Sequence, residues 1–479
     1  MTAPKRQLGL IVTAAIVVAN MIGTGVFTST GFQAAALHDP LTILLAWVIG
    51  GVLALCGAAA YAELGSMMPR AGGEYIYLRE AYHPAVGFMS GWVSLIAGFS
   101  APIAVSALAF SKYLSKLVPG LGGEPWILLK PELFGLTVTV AFGAMHAVAI
   151  TLIVAIAAMH AFDTKLGGRV QTVFTAAKVL LIVVFIVAGF LVGDGDWSNF
   201  ASRGGGLVEN LPTSAFAIAL IFVAFSYSGW NAAAYIANEV KQPERTLPRA
   251  LLLGTGLVMA LYVLLNVVFF YALPPEKLAG VFEIGDATGR ALFGDRAGSI
   301  MTSVIALALV SSVSAMVMAG PRVYAAMATA RALPGGLARH NKRGVPMYAV
   351  VTQGVIASAF VIIGDPNWLI QMVGFTLSIF AALTVSAVFV LRRRGMTSKY
   401  RTSGFPVTPV LFIVLSIWMA GWFIYSQPTS SAVVAGILLV GAGVYAVWIR
   451  GKQSLPDESV PDAEAPERPV ARVGSDPDD

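Results

Sequence analysis

Apolar residues recur along this chain in long runs that short polar segments divide. Twelve runs approach or exceed the ~20 residues that a bilayer-spanning helix requires. They cover 8–37, 41–66, 84–118, 135–159, 169–193, 211–240, 249–273, 297–330, 346–363, 367–391, 407–426 and 430–450, the ninth being short. The alternation of a transmembrane β-barrel is missing. The pattern therefore predicts an all-α polytopic membrane protein with twelve transmembrane helices. Two runs are interrupted. In the first, "NMIGTGVF" (Asn20–Phe27) sets Gly23 and Gly25 around Thr24. In the sixth, "FSYSGWNAAAYIANEV" clusters Ser226, Ser228, Gly229 and Asn231. A five-helix offset between interruptions is what a five-plus-five inverted repeat produces, and such paired breaks point to a binding site. The halves cover about 8–193 and 211–391, with two extra helices at about 407–450, which makes 1–450 one transmembrane domain.

Composition agrees. The 479 residues are 57% hydrophobic and 12% charged, with a mean hydropathy of +0.77, where soluble domains carry about a quarter charged residues. The net charge of +6 raises the question of nucleic acid. The distribution of the charge answers against it, because the basic residues sit between apolar runs. With the N-terminus in the cytoplasm, the inner segments hold twenty lysines and arginines and the outer ones seven. That asymmetry predicts an integral plasma (inner) membrane protein with both termini cytoplasmic. The start resembles a signal peptide, yet no small-residue cleavage site follows and the apolar run continues. Residues 451–479 are rich in Pro, Asp and Glu and are expected to form a disordered acidic cytoplasmic tail. The single cysteine, Cys56, excludes an internal disulfide. No metal motif, H-E-x-x-H or nucleotide-binding loop occurs. The chain is read as no enzyme, with no cofactor and no metal.

A helix broken inside a membrane is tolerated only where it is buried in protein or lines a watery cavity. The break frees N–H groups on one half-helix and carbonyls on the other, with partial positive and negative charge respectively. A free amino acid carries the complementary pair. The N–H groups near Thr24, Gly25 and Val26 suit a carboxylate. Carbonyls near Met21 and Ile22, and near Phe225, Ser226 and Ser228, suit an ammonium. The competing reading, close helix packing by small residues, weakens when two breaks fall at matching positions.

Several stretches resemble the amino acid–polyamine–organocation (APC) transporters. "IGTGVF" is similar to their first-helix signature, and "FSYSGWNAAAYIANEVKQPERTLPRAL" to their sixth helix and following loop. "YAELGSMMPRAGGEYIYLREAYHP" and "RVYAAMATARALP" resemble the loop after helix two and the end of helix eight. The resemblance implies the LeuT-like fold and a substrate site between the broken helices, worked by alternating access. It matches Met21, Gly23, Thr24 and Gly25 to the positions that hold the amino acid backbone. Phe225 matches the aromatic that closes over the substrate, and Phe225 and Ser228 the ammonium-binding carbonyls. Ser228 stands where many relatives have glycine. Ala330, Arg331 and Ala332 depart from the usual pattern after helix eight.

Lys178 lies about ten residues into the fifth run. An intramembrane lysine marks a functional position by default; the bland alternative is snorkelling to the surface. The resemblance places Lys178 where sodium-coupled relatives bind sodium, between helices one and eight. It predicts sodium-independent transport, with Lys178 as a proton carrier or a fixed strut. His146 and Asn266 read as satisfied packing positions. Glu63, Glu74, Glu239 and Arg322 are candidates for an inner gate or for ordinary interfacial charges. Trp230 and Asn231, inside the second break, join the candidate site. "VSLIAGFSAP" (Val93–Pro102) and "SSVSAM" (Ser311–Met316) are candidates for the side-chain pocket.

The predicted function is secondary active transport of amino acids, by proton symport or exchange. Neutral substrates are favoured, because no acidic residue occurs in the apolar parts of the third, eighth and tenth runs. The alternative is a cationic amino acid or polyamine carrier of the same family. The partners are the amino acid, the bilayer and, as a candidate, protons; a partner subunit is left open.

Overall fold

The computed structural model describes residues 6–133, 136–137, 139–162, 164–201, 206–341 and 344–450. The acidic tail expected at 451–479 lies outside the described residues, as do several basic residues in the charge count, among them Lys5 and Arg203. Among the described residues, ten helices are long and apolar enough to cross a membrane, and two shorter apolar helices, Ser214–Tyr227 and Met347–Ile363, accompany them. The chain is thus an all-α integral membrane protein of many spans.

Both interruptions predicted from the sequence are present. The first span divides into Leu10–Met21 and Thr24–Leu37, with Ile22 and Gly23 extended between them. The sixth divides into Ser214–Tyr227 and a short turn, Ala232–Tyr235, with Ser228, Gly229, Trp230 and Asn231 between. Gly229 adopts φ +95°, a left-handed conformation that glycine takes at no steric cost.

Some boundaries differ from the apolar pattern. The fourth helix begins at Ala144, not near 135. Leu136–Thr137 and Val140–Phe142 instead pair as short antiparallel strands with Glu132–Leu133 and Ile127–Leu129. The β-branched run "LTVTV", closed by Gly143, favours strand over helix there. The eighth helix extends back to Ile284 across a turn at Gly294, φ +77°. The third span, Pro84–Ser115, changes to π-helix over Ser94–Ser100. Such single-turn irregularities concentrate at functional sites.

The breaks sit in an aromatic and polar frame. Trp47, Tyr227 and Tyr262 pack edge-on or tilted, with centroids 5.1–5.8 Å apart. The Tyr227 hydroxyl donates to the Trp47 carbonyl and the Trp47 indole N–H to Gln33 Oε1. Asn266 is fully buried and satisfied by Thr30 and the Tyr262 carbonyl, as a packing position should be. His146 differs, since its buried Nδ1 has no hydrogen-bond partner.

Candidate functional site

The two breaks lie against each other. A Cβ added at Gly25 falls 2.5 Å from the Ser226 Cα, and one at Gly229 falls 2.7 Å from the Asn20 carbonyl oxygen. Each broken helix therefore carries a glycine where the other leaves no room for a side chain. The half-helices Thr24–Leu37 and Ser214–Tyr227 continue this contact on the face opposite the N-terminus. Ser29 Oγ and Ser226 Oγ lie 2.9 Å apart, Gln33 Nε2 donates to the Ala219 carbonyl, and Phe32 stacks on Phe222. On the N-terminal face, the Gln7 and Leu8 N–H groups donate to the Glu239 carbonyl, and the Lys241 N–H returns a bond to Leu8. The two broken helices are thus tied to each other on both faces.

Thr24, Gly25 and Val26 form the first turn of their half-helix, and no side chain caps it. First-turn N–H groups have no partner within their helix and carry the positive end of its dipole. The Thr24 hydroxyl is already engaged, donating to Ser106 Oγ at 2.8 Å. Carbonyls of the first break are partly taken. The Met21 carbonyl accepts from the Tyr262 hydroxyl at 2.6 Å. The Ile22 carbonyl accepts from Lys178 Nζ at 2.6 Å and from Ser312 Oγ at 3.1 Å. In the second break, the Phe225 carbonyl accepts the Ser228 N–H.

Lys178 does not snorkel. It is 1% exposed and donates to the Ala19 carbonyl at 2.7 Å as well as to Ile22. The ammonium therefore clamps the end of helix one at the break. Ser312, on helix eight, meets it at the same Ile22 oxygen.

A narrow cavity adjoins the breaks, lined by Asn20, Ser94, Phe99, Ser228, Asn231 and Met316 among others. The structure thus brings both candidate pocket stretches, Val93–Pro102 and Ser311–Met316, to the site. Asn20, Tyr235 and Leu377 line it too, and sequence reasoning missed them. Asn20 carried a signal, being a polar residue directly before the break. Tyr235 and Leu377 carried none. Trp230 turns away from this cavity, its ring 4.7 Å from Tyr61 and packed on Phe412. The Phe225 ring is buried and lies outside the cavity lining.

Of the four charges grouped by sequence, two pair with each other and two find other partners. Arg322 pairs with Glu239 at 3.4 Å beside a vestibule that includes His160 and Asn238. Glu63 instead accepts a two-pronged bond from Arg392 and two from Thr402. Glu74 accepts from Tyr61 and from Asn231.

Two broken helices that meet near their interruptions inside a multi-span bundle are the arrangement found in membrane transporters of small solutes. Comparison with known proteins narrows this. A profile of the amino acid permease family matches residues 8–447. The chain is 30% identical over 92% of its length to the serine/threonine exchanger SteT of Bacillus subtilis, covering 96% of that protein. It is 30% identical to the human b(0,+)-type amino acid transporter 1, over 89% of this chain and 84% of that one. It is 28% identical to the human large neutral amino acids transporter small subunit 2, over 92% and 80%. The chain belongs to the amino acid permease family of the APC superfamily. It is an amino acid transporter and not an enzyme.

Proposed function

We propose that the chain is a sodium-independent carrier of neutral amino acids that works by alternating access in the plasma (inner) membrane, with both termini cytoplasmic. The regions 8–193 and 211–391 are its two inverted halves, which the matching breaks at Ile22–Gly23 and Ser228–Asn231 support. The observation that carries sodium independence is the Lys178 ammonium, bonded to the Ala19 and Ile22 carbonyls. A fixed cation already serves the carbonyls that a sodium ion would otherwise draw together. Lys178 is the candidate coupling residue.

In this reading the substrate carboxylate lies on the Gly23–Thr24–Gly25 turn. Its ammonium goes to carbonyls that retain a free lone pair, those of Met21, Phe225, Ser226 and Ser228. Ile22 holds its turn in place, its carbonyl having both lone pairs engaged. Gly229 permits the left-handed turn, and Trp230 and Asn231 anchor its inner end. The neutral preference rests on the cavity lining, in which no acidic side chain occurs among the described residues. A cationic amino acid or polyamine would need such a partner for its distal charge. Exchange, as the name of the Bacillus relative records for that protein, and proton symport are both open to this geometry.

Uptake of radiolabelled amino acids into proteoliposomes tests the reading. Saturable uptake of a neutral amino acid, equal with and without sodium, is the expected result; uptake that stops without sodium overturns it. Ser228 sets a second test, because it lines the cavity at the break. Ser228→Gly is expected to admit larger side chains, seen as a competition profile shifted toward bulkier amino acids. An unchanged profile removes Ser228 from the pocket.

A further inference from the structure

Glu74 has no role in the site as described so far. It opens the helix Glu74–Ala81, between the second and third spans. It is 3% exposed. Oε1 accepts from the Tyr61 hydroxyl at 2.6 Å and from Asn231 Nδ2 at 2.8 Å, and Oε2 faces the Ser90 hydroxyl at 3.4 Å. Tyr61 belongs to the second span, Ser90 to the third and Asn231 to the break of the sixth. The same Asn231 Nδ2 also donates to the Tyr235 hydroxyl at 3.1 Å, and Tyr235 lines the cavity.

Other titratable groups surround this carboxyl. Tyr77, on the same helix, has a buried hydroxyl without a partner, and Tyr235 approaches from the sixth span. Arg79, also on the same helix, donates to the Tyr75 hydroxyl. The tenth span packs against this helix and presents Thr384 to Tyr61. Among the described residues no lysine, arginine or histidine forms an ion pair with Glu74. Its sibling Glu63 shows the contrast, since Arg392 pairs with it at 2.7 Å.

We infer that Glu74 is a proton-binding site of the transport cycle, joined to the broken sixth helix through Asn231. This rests on the substrate site proposed above. A carboxylate buried among neutral donors is costly in its charged form, and burial pushes the Glu74 carboxyl above the usual range. Asn231 lines the substrate cavity on one side and touches the carboxylate on the other. When the break closes on a substrate, water leaves both. Closure then favours the neutral carboxylic acid, and one proton moves from bulk water to a Glu74 oxygen. Opening rehydrates the carboxyl and returns the proton. No other bond forms or breaks.

Calorimetric binding of L-serine, L-threonine and L-leucine to the purified full chain, in two buffers of different ionisation enthalpy, counts protons taken up per substrate. The expected wild-type result is uptake on the order of half a proton near the midpoint of the Glu74 titration. Glu74→Gln is expected to bind the same amino acid with no linked proton. Tyr61→Phe removes a donor that favours the charged carboxylate, so its uptake maximum moves to a pH higher by about one unit. This second variant carries the test if Glu74→Gln does not fold. Binding without proton uptake in the wild type overturns the inference and leaves the substrate site standing. So does uptake that persists in Glu74→Gln, which transfers the proton to Lys178, or a Tyr61→Phe maximum that stays in place. A wild type that binds none of the three amino acids overturns the substrate site and this inference together.

Discussion

Replacing Lys178 with methionine should lower amino acid uptake by about two orders of magnitude in a protein that remains folded. Methionine keeps the length and apolar bulk of the lysine stem and removes only the ammonium. The Ala19 carbonyl then loses a 2.7 Å bond and the Ile22 carbonyl a 2.6 Å bond. Ile22 retains Ser312 Oγ at 3.1 Å, so the larger loss falls on Ala19. An unpaired buried acceptor costs about 1–3 kcal/mol, more where the lost donor was charged. About 3 kcal/mol for the pair corresponds to roughly 100-fold. The loss falls on transport rather than on folding, because these carbonyls end a half-helix whose position the cycle must reset. Initial uptake rates in proteoliposomes, beside a single symmetric peak on size-exclusion chromatography, check this. Uptake within about twofold of wild type would show that neither the charge nor its bonds matter. Lys178→Arg should not restore the rate, since a planar fork cannot fill the place of a compact ammonium.

How much of this was legible beforehand depends on the range of the interactions. The spans were legible because a bilayer imposes a length and an apolar composition on each one. The breaks were legible because glycine, serine and asparagine stand out in an apolar run, and both are present in the structure, at Ile22–Gly23 and at Ser228–Asn231. The burial of Lys178 was legible from its depth in the fifth run. Its bonding to Ala19 was not, since 159 residues separate the partners. The strands at Leu136–Thr137 and Val140–Phe142 were hidden, because hydropathy alone does not distinguish a short apolar strand from the start of a helix. The four charges grouped as candidates for an inner gate or for ordinary interfacial charges divide, because Arg392 engages Glu63 and Asn231 engages Glu74 while Arg322 pairs with Glu239. Long-range pairing decides such cases, and no local pattern encodes it.

Gly25→Ala is expected to abolish uptake while the protein still binds substrate from the face opposite the N-terminus. Helix propensity argues the other way, because alanine stabilises a helix by roughly 0.5–1 kcal/mol relative to glycine. The contact decides the sign. The added Cβ would lie 2.4 Å from Ser226 Oγ, 2.5 Å from its Cα and 2.7 Å from its Cβ. A hydroxyl rotates aside at small cost, but a Cα does not. The half-helix Ser214–Tyr227 must therefore retreat by about 1 Å, and overpacking of this kind costs typically 1–3 kcal/mol. Retreat breaks the Ser29–Ser226 contact, the Gln33–Ala219 bond and the Phe32–Phe222 stack, which lie along the same seam. The face they close stays open, so the cycle stops with the first half of the site accessible. Gly256→Ala is the matched control, since its Cβ meets nothing within 4 Å in the interior of the helix Pro243–Ala272, and its uptake should match wild type. Equal uptake by the two variants would mean that the seam at Gly25 opens and closes without the close approach seen here. Lost uptake with retained binding in Gly25→Ala alone would make that approach a step that transport requires.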